Sequence, residues 1–419
     1  MSLKARVSRY VEALRHNKVV AFDSETTLIP KDPKWSLWGD TPRYVLGLYR
    51  RLDMPSATET DSFRWPTSEG AFRKQAAEYA EGDWIFAAHN VEYDLAVAFP
   101  QWDRWHSKNV MTWDTMFADY LLNGQQRLPR DLNSVAARCG LTLQKDDEVS
   151  ALIKAGTCPS EMDREMLARY LLTDVRLTAM IFKKQLIDLK QRTPQFQHLF
   201  YTQMLWRTTT IGMSARGMRV DTAKAEAAAA EFQTIIDSTD LTIRGALYTE
   251  AVLPDEIRLE MEAWQGLQNH LKSNSVQQLK ALIYGGSFPF TWKRPTGETF
   301  KTGAKAGQPK YKNHQDTVTY PGMFVHHGEA STDDAALSKL LSHGRINGTR
   351  KYAGDINPNE ILQAIQKNRE FGKLVSTYLI GYVGYAKYDG RLHPKYSHTT
   401  TPTGRLACSS PNCQNLTKK

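Results

Sequence analysis

The strongest constraint on this chain is the alternation, through its first half, of short apolar runs with longer amphipathic segments. Val19-Val20-Ala21-Phe22 is too short for a helix and ends in Asp23-Ser24-Glu25, which suits a buried strand. Residues 43–51 (RYVLGLYRR) are rich in β-branched and aromatic side chains and suit a partner strand, and residues 84–88 give another. Helical spacing is carried by the opening segment (Val7, Tyr10, Val11, Leu14) and by residues 69–81, 91–99, 114–122, 131–139 and 161–190. Strands interleaved with helices predict an α/β domain. Residues 195–270 read as helical almost throughout. Residues 286–330, rich in Gly, Pro, Thr and Lys, read as a loop or small insertion. Helical periodicity returns at 332–342 and 359–380, and residues 390–398 alternate like a strand.

The length of 419 residues suits two or three domains, and 41% hydrophobic with 24% charged residues is the composition of a core-forming chain. There is no run of 18 apolar residues and no signal-peptide-like start, which argues against a membrane partner and against secretion. Four scattered cysteines (Cys139, Cys158, Cys408, Cys413) do not make a disulfide framework and suggest a reducing, cytoplasmic compartment. Lys and Arg minus Asp and Glu gives +1 for residues 1–200, −4 for 201–270 and +12 for 271–419. A basic last third beside a near-neutral first half predicts a polyanion-binding region attached to a separate module.

Three acidic pieces stand out. Asp23 and Glu25, at i and i+2 on a strand, point to one face and can share a metal ion. Asn90 and Asp94 are at i and i+4 at the start of a helix, and Tyr170 and Asp174 repeat that spacing in a second helix. In this order the pieces resemble the DEDD superfamily of 3′→5′ exonucleases in its tyrosine-containing form. Arg169 stands where the histidine-containing form would carry its His. The resemblance implies that Asp23, Glu25, Asp94 and Asp174 bind two divalent ions, Mg²⁺ or Mn²⁺, and that the Tyr170 hydroxyl orients the attacking water. It also implies that Asn90 and Tyr93 contact the single-stranded 3′ end. The residue types suit the chemistry, because hard oxygen donors bind such cations and the cations offset the mutual repulsion of the carboxylates.

Trp113 to Asn123 and Arg130 to Ala136 resemble the proofreading domain of family A DNA polymerases, relatives of bacterial DNA polymerase I. Gly217-Met218-Arg219-Val220-Asp221 resembles that family's turn out of the exonuclease domain. Ser273 to Leu279 resembles the segment entering the thumb tip, where Ser273 and Asn274 would meet backbone phosphates. Residues 331–334 and 368–378 resemble the returning thumb helices. Gly390 to His393 with Thr403 to Leu416 is very similar to the first palm strands. There Arg405 would reach the minor groove near the primer terminus, and Asn412, Gln414 and Asn415 would contact the duplex and templating region.

The resemblance thus implies an α/β ribonuclease H-like exonuclease domain at 1–192, a mixed sheet flanked by helices. A mainly helical connector and thumb would occupy 193–385, with a basic insertion at 286–330, and the first palm strands 386–419. The implied activity is proofreading 3′→5′ exonuclease during DNA replication, acting on single-stranded 3′ ends and gripping primer-template duplex. The similarity stops before the family's polymerase catalytic motifs. A naturally split polymerase, an interrupted gene and a truncated chain all fit, and a partner chain carrying the remaining palm and fingers is the favoured expectation. Family members without a 5′-nuclease are common in phages, so a viral source, acting in the host cytoplasm, also fits. Two other readings stay open: an RNA 3′-exonuclease, and a non-catalytic DNA-binding subunit. Cys408 and Cys413 with His393 and His398 do not have zinc-finger spacing.

Overall fold

Strand β1 (Val19–Thr26) lies at the centre of a five-stranded sheet in the computed structural model of the protein, which describes residues 2–53, 62–143, 147–255, 257, 260–303, 305–325, 330–348 and 356–416. The chain divides into one unit made of Met1–Thr222 with Tyr382–Lys419, and a second made of Ala223–Gly381.

The first unit begins with α1 (Leu3–Arg15), followed by β1, β2 (Tyr44–Arg51) and β3 (Phe63–Arg64). Then come α2 (Glu69–Glu81), β4 (Ile85–Ala88), α3 (Glu92–Ala98), α4 (Arg104–Asn109), β5 (Met111–Asp114) and α5 (Thr115–Leu122). Four helices follow: α6 (Leu132–Arg138), α7 (Asp147–Ala155), α8 (Arg164–Lys190) and α9 (Pro194–Arg216). The sheet order is β3-β2-β1-β4-β5; β1 is antiparallel to β2 and parallel to β4, so the sheet is mixed and flanked by helices.

Strand parity decides what each face meets. Val19, Ile85, Ala87, Met111 and Trp113 pack with Tyr10 of α1 and Phe200 and Met204 of α9. Val20, Phe22, Phe86 and Ala88 point the other way, toward Phe72 and Ala76 of α2 and Leu95 of α3. Ala21, Leu46 and Leu48 pack against Leu167, Tyr170, Leu171 and Val175 of α8. That 27-residue helix starts at Asp163, whose side chain accepts from the Met166 amide at 2.8 Å. Its buried stripe runs at the spacing of one helical face.

A short strand β6 (Met218–Arg219) follows α9 and pairs antiparallel with Arg391–Leu392, so the carboxy-terminal segment belongs to this unit. Lys395–Ser397 pairs with Ala407–Ser409.

The second unit contains α10 (Thr222–Thr249), α11 (Met261–His270) and α12 (Val276–Tyr284), then β7 (Gly286–Thr299) and β8 (Pro309–Tyr320), then α13 (Asp334–His343) and α14 (Pro358–Lys373). Residues 286–330 differ from the expected loop: most of the stretch is the antiparallel β7–β8 ribbon. Phe288, Phe290 and Trp292 alternate inward with Val318 and Tyr320, joining Leu267, Leu279 and Ile283 in the core of the unit. Pro289 and Pro295 suggest a break, yet Pro289 is exposed and packs no side chain into this core. Among the described residues, no helix is long and apolar enough to cross a membrane.

Candidate active site

Asp23 and Glu25 share the parity of Val19 and Ala21, so they face the side of β1 on which α8 packs. Asp174 lies one turn beyond Tyr170 on the buried stripe of α8. As a result, oxygens of Asp23, Glu25 and Asp174 all lie within 4.8 Å of one another. Asp174 is buried and the two strand carboxylates are half-buried.

Asp94 reaches the same region by another route. Ser24, between the two strand carboxylates and of opposite parity, faces α3. Its amide and its hydroxyl donate to Asp94 Oδ1 at 3.0 and 2.8 Å. Asp94 therefore stands beside the trio and does not share its 4.8 Å cluster. Burial, and then the charge of Asp23, push the Asp94 carboxyl well above the usual carboxylate range, against the lowering effect of the Ser24 hydrogen bonds.

Tyr170 is buried, with its hydroxyl 3.4 Å from Ser150 Oγ on α7. The Tyr93 hydroxyl is 2.5 Å from Thr26 Oγ1; mainly through burial, with Asp94, Glu25 and Asp23 adding to it, its pKa is pushed up to about 12. Tyr93 borders a cleft of about 320 Å³ that runs from Ser24 to Ile29 on one side and from Ile153 to Pro159 on the other. It also borders a cleft of about 350 Å³ shared with Asn90, Trp35, Trp38, His393 and Ser410. Ile29, which borders both clefts, and Leu28, which borders the first, leave apolar surface exposed.

Asn90 departs from its expected place on a helical face. The helix begins at Glu92, and Asn90 has φ +63° in the preceding turn, with its amide donating to Asp114 Oδ1 at 3.1 Å. Asparagine tolerates this left-handed conformation better than most residues.

Behind that turn is a buried ion cluster that sequence reasoning missed. Arg207 of α9 contacts Glu92 Oε2 through Nη1 at 3.0 Å and Asp114 Oδ2 through Nε at 3.2 Å. Trp38 Nε1 donates to Glu92 at 3.2 Å, and the Met116 amide to Asp114 at 3.1 Å. The group ties the turn carrying Asn90, and the helix carrying Asp94, to α9. The signal that could have found it is an Arg on the helix face that carries Phe200, Met204 and Ile211, because Arg is rarely buried unless paired. Ser24 and Thr26 carried a readable signal too, since they interleave with Asp23 and Glu25 and must face the opposite side.

The remaining sequence candidates lie elsewhere. Arg405, Asn412, Gln414 and Asn415 are exposed on the carboxy-terminal segment and border neither cleft. The Asn412 carbonyl accepts from Tyr382 Oη at 3.2 Å, and its side chain accepts from the Gln414 amide at 3.1 Å. Ser273 and Asn274 belong to the second unit. Ser273 Oγ donates to Asp240, Asn274 is exposed, and the cap of α12 is Ser275.

Known proteins supply a context for this geometry. The sequence model for DNA polymerase family A matches residues 319–419. The chain is 29% identical over 161 residues to a thermostable DNA polymerase I of Thermus filiformis, covering 35% of this chain and 17% of that protein. It is 39% identical over 56 residues to a DNA polymerase I of Streptococcus pneumoniae, covering 13% and 6%. Among solved structures, it is similar to the POL domain of Pol1 from M. smegmatis in complex with DNA primer-template and dNTP. There the TM-score is 0.52 at 15% identity, over 98% of this chain and 55% of that one. The chain thus spans less than a fifth of the curated relatives' length and about half of the structural neighbour's.

Proposed function

The chain is related to the family A DNA polymerases, and on that premise we propose that residues 1–192, within the first unit, are a 3′→5′ exonuclease that removes nucleotides from DNA 3′ ends. In this reading it serves proofreading during DNA replication, and the rest of the chain, as thumb and initial palm, holds primer-template duplex. One observation carries the exonuclease reading: the convergence of Asp23, Glu25 and Asp174 within 4.8 Å, with Asp94 against Asp23. The mixed sheet order, with an antiparallel neighbour on one side of β1 and parallel strands on the other, supports a ribonuclease H-like fold. The proposed division remains 1–192, 193–385 and 386–419.

Divalent cations fit the donor set. All the donors are hard carboxylate oxygens, and burial first, then the charge of Asp23, disfavours the charged form of Asp94, a cost that a cation bound between the carboxylates offsets. Asp23, Glu25, Asp94 and Asp174 would hold two Mg²⁺ or Mn²⁺ ions. When bound, such ions lower the pKa of water and offset charge on the leaving oxygen.

The chain's own residues account for the remainder. The Tyr170 hydroxyl, one turn before Asp174, orients the water that attacks the terminal phosphodiester. Asn90 and Tyr93, which border the clefts, hold the last nucleotides, and exposed Leu28 and Ile29 offer an apolar surface for the bases. Ser24 keeps Asp94 turned toward Asp23. Arg405, Asn412, Gln414 and Asn415 on the exposed carboxy-terminal segment, and Ser273 and Asn274 in the second unit, serve duplex contact.

The test is digestion of 5′-labelled single strands of DNA and RNA with Mg²⁺ or with chelator. The reading expects stepwise, metal-dependent shortening of DNA from its 3′ end. Shortening of RNA alone would transfer the site to RNA processing, and no digestion of either would overturn the exonuclease reading.

A further inference from the structure

The β7–β8 ribbon outlasts its structural purpose. Its base is anchored by Phe288, Phe290, Trp292, Val318 and Tyr320, all at most 2% exposed. Beyond Trp292 that support ends: of the described residues from 293 to 315, all but Lys310 are exposed. A two-stranded ribbon without a packed face is at best marginally stable in water. This outer part therefore adds little to the core of the second unit.

Its charge is one-sided. Lys293, Arg294, Lys301, Lys305, Lys310 and Lys312 stand against Glu298 and Asp316. Arg294 pairs with Glu260 at 2.7 Å, and Lys310 with Glu298 at 3.1 Å. Among the described residues, no carboxylate pairs with Lys293, Lys301, Lys305 or Lys312. The register also sets Arg294 directly opposite Lys312, on the face that continues from Phe290 and Trp292. Like charges opposed across two strands are destabilising; Glu260 offsets the Arg294 side of the pair, and an anion bound at Lys312 would offset the other. Lys293 points to the other face, so both faces carry positive charge.

We infer that the outer ribbon, residues 293–315, is a nucleic-acid arm that binds the phosphates of duplex DNA. The dimensions suit this, because the major groove of B-DNA admits a two-stranded β-ribbon. Lysines on both faces would meet both walls of a groove, whereas docking of an acidic protein calls for a single positive face. The alternating Lys, Thr, Asn, Gln and Tyr side chains supply donors to phosphate oxygens without reading sequence. The inference rests on the reading that the chain acts on DNA, and it adds a contact beyond the carboxylate site and the residues assigned to the duplex above.

The experiment measures affinity of the full chain for a short blunt duplex over a salt series, without divalent metal. Combined replacement of Lys293, Lys301, Lys305 and Lys312 by Gln should reduce the slope of log K against log salt by about 2 to 4, at roughly 0.9 for each phosphate no longer neutralised. Affinity at moderate salt should fall at least tenfold. Glu298→Gln, which releases Lys310 and leaves the four lysines in place, should tighten binding and steepen the slope even if the combined variant folds poorly. Unchanged slopes in both variants would overturn the inference. Loss of poly-L-glutamate binding with the DNA slope intact would also overturn it, by assigning the arm to an acidic protein. Digestion of a short single strand by the wild-type chain is read separately. Its absence would defeat the exonuclease reading and leave the slope result standing.

Discussion

Arg207 and Asp114 are 93 residues apart in sequence and 3.2 Å apart in space, Nε to Oδ2, and neither is more than 5% exposed. The same guanidinium holds Glu92, so one cation is shared by two buried carboxylates. Removing one partner of a buried ion cluster leaves uncompensated charge. Arg207→Met should therefore destabilise the protein by about 3–5 kcal/mol, read as a lower midpoint in urea. Arg207→Lys should recover only part of this, because an ammonium lacks the two-pronged donor geometry. A midpoint unchanged by the Met substitution would mean the cluster contributes nothing.

His398 sits beside this cluster, with Nε2 2.8 Å from Thr210 Oγ1. Burial, then the charge of Arg207, lowers its pKa from 6.5 to about 4, with Asp114 opposing. The folded state thus binds this proton less readily than the unfolded chain. Well above pH 6.5 there is no penalty. As pH falls toward 4, the unfolded state gains protons first, and stability drops by at most about 3 kcal/mol. His398→Gln should flatten this part of the pH profile, as measured by urea midpoints at pH 7.5 and pH 5.

Gly217 ends α9 with φ +59° and ψ −174°, a region that essentially only glycine occupies. A Cβ there would lie 2.6 Å from the Leu392 carbonyl oxygen, on the strand that pairs with β6. Gly217→Ala should cost about 1–3 kcal/mol in backbone strain, in addition to displacing residues 391–392. Thermal unfolding checks the stability. Proteolysis of the carboxy-terminal segment checks the displacement, and a segment no more sensitive than in wild type would refute it.

Tyr170 and Asp174 are separable in effect if their roles differ as proposed. Tyr170→Phe removes only the hydroxyl that orients water, and should slow digestion by on the order of 10²-fold while leaving Mn²⁺ binding near normal. Asp174→Asn should weaken Mn²⁺ binding itself, beyond the roughly 10- to 100-fold typical for loss of an outer-shell partner. Titration of bound Mn²⁺ in the two variants distinguishes them; equal loss of metal would assign Tyr170 a structural role.

Where local pattern and tertiary context agreed, the residues could be read from the sequence. Val19–Phe22 formed the buried strand its length suggested, and α8 followed the periodicity of residues 161–190. Asp23 and Glu25 could be assigned one face because strand parity is a local property. The convergence of Asp174 on them is not local, since it depends on α8 packing over Ala21. Asn90 was misread because the i, i+4 spacing assumes a helix, and the chain instead makes a left-handed turn held by Asp114. The ribbon was hidden by its prolines and lysines, although Phe288, Phe290 and Trp292 keep a period of two through them. Arg207 could be singled out as an Arg on a helix face shared with Phe200, Met204 and Ile211, but its partners, 115 and 93 residues away, could not be named.

The most direct measurement is Mg²⁺-dependent release of nucleotides from the 3′ end of a 5′-labelled DNA strand by the wild-type chain and by Asp23→Ala and Asp174→Ala. The account predicts a ladder of shortened products from the wild type, abolished by chelator and by either substitution. Digestion by Asp174→Ala at the wild-type rate would contradict it.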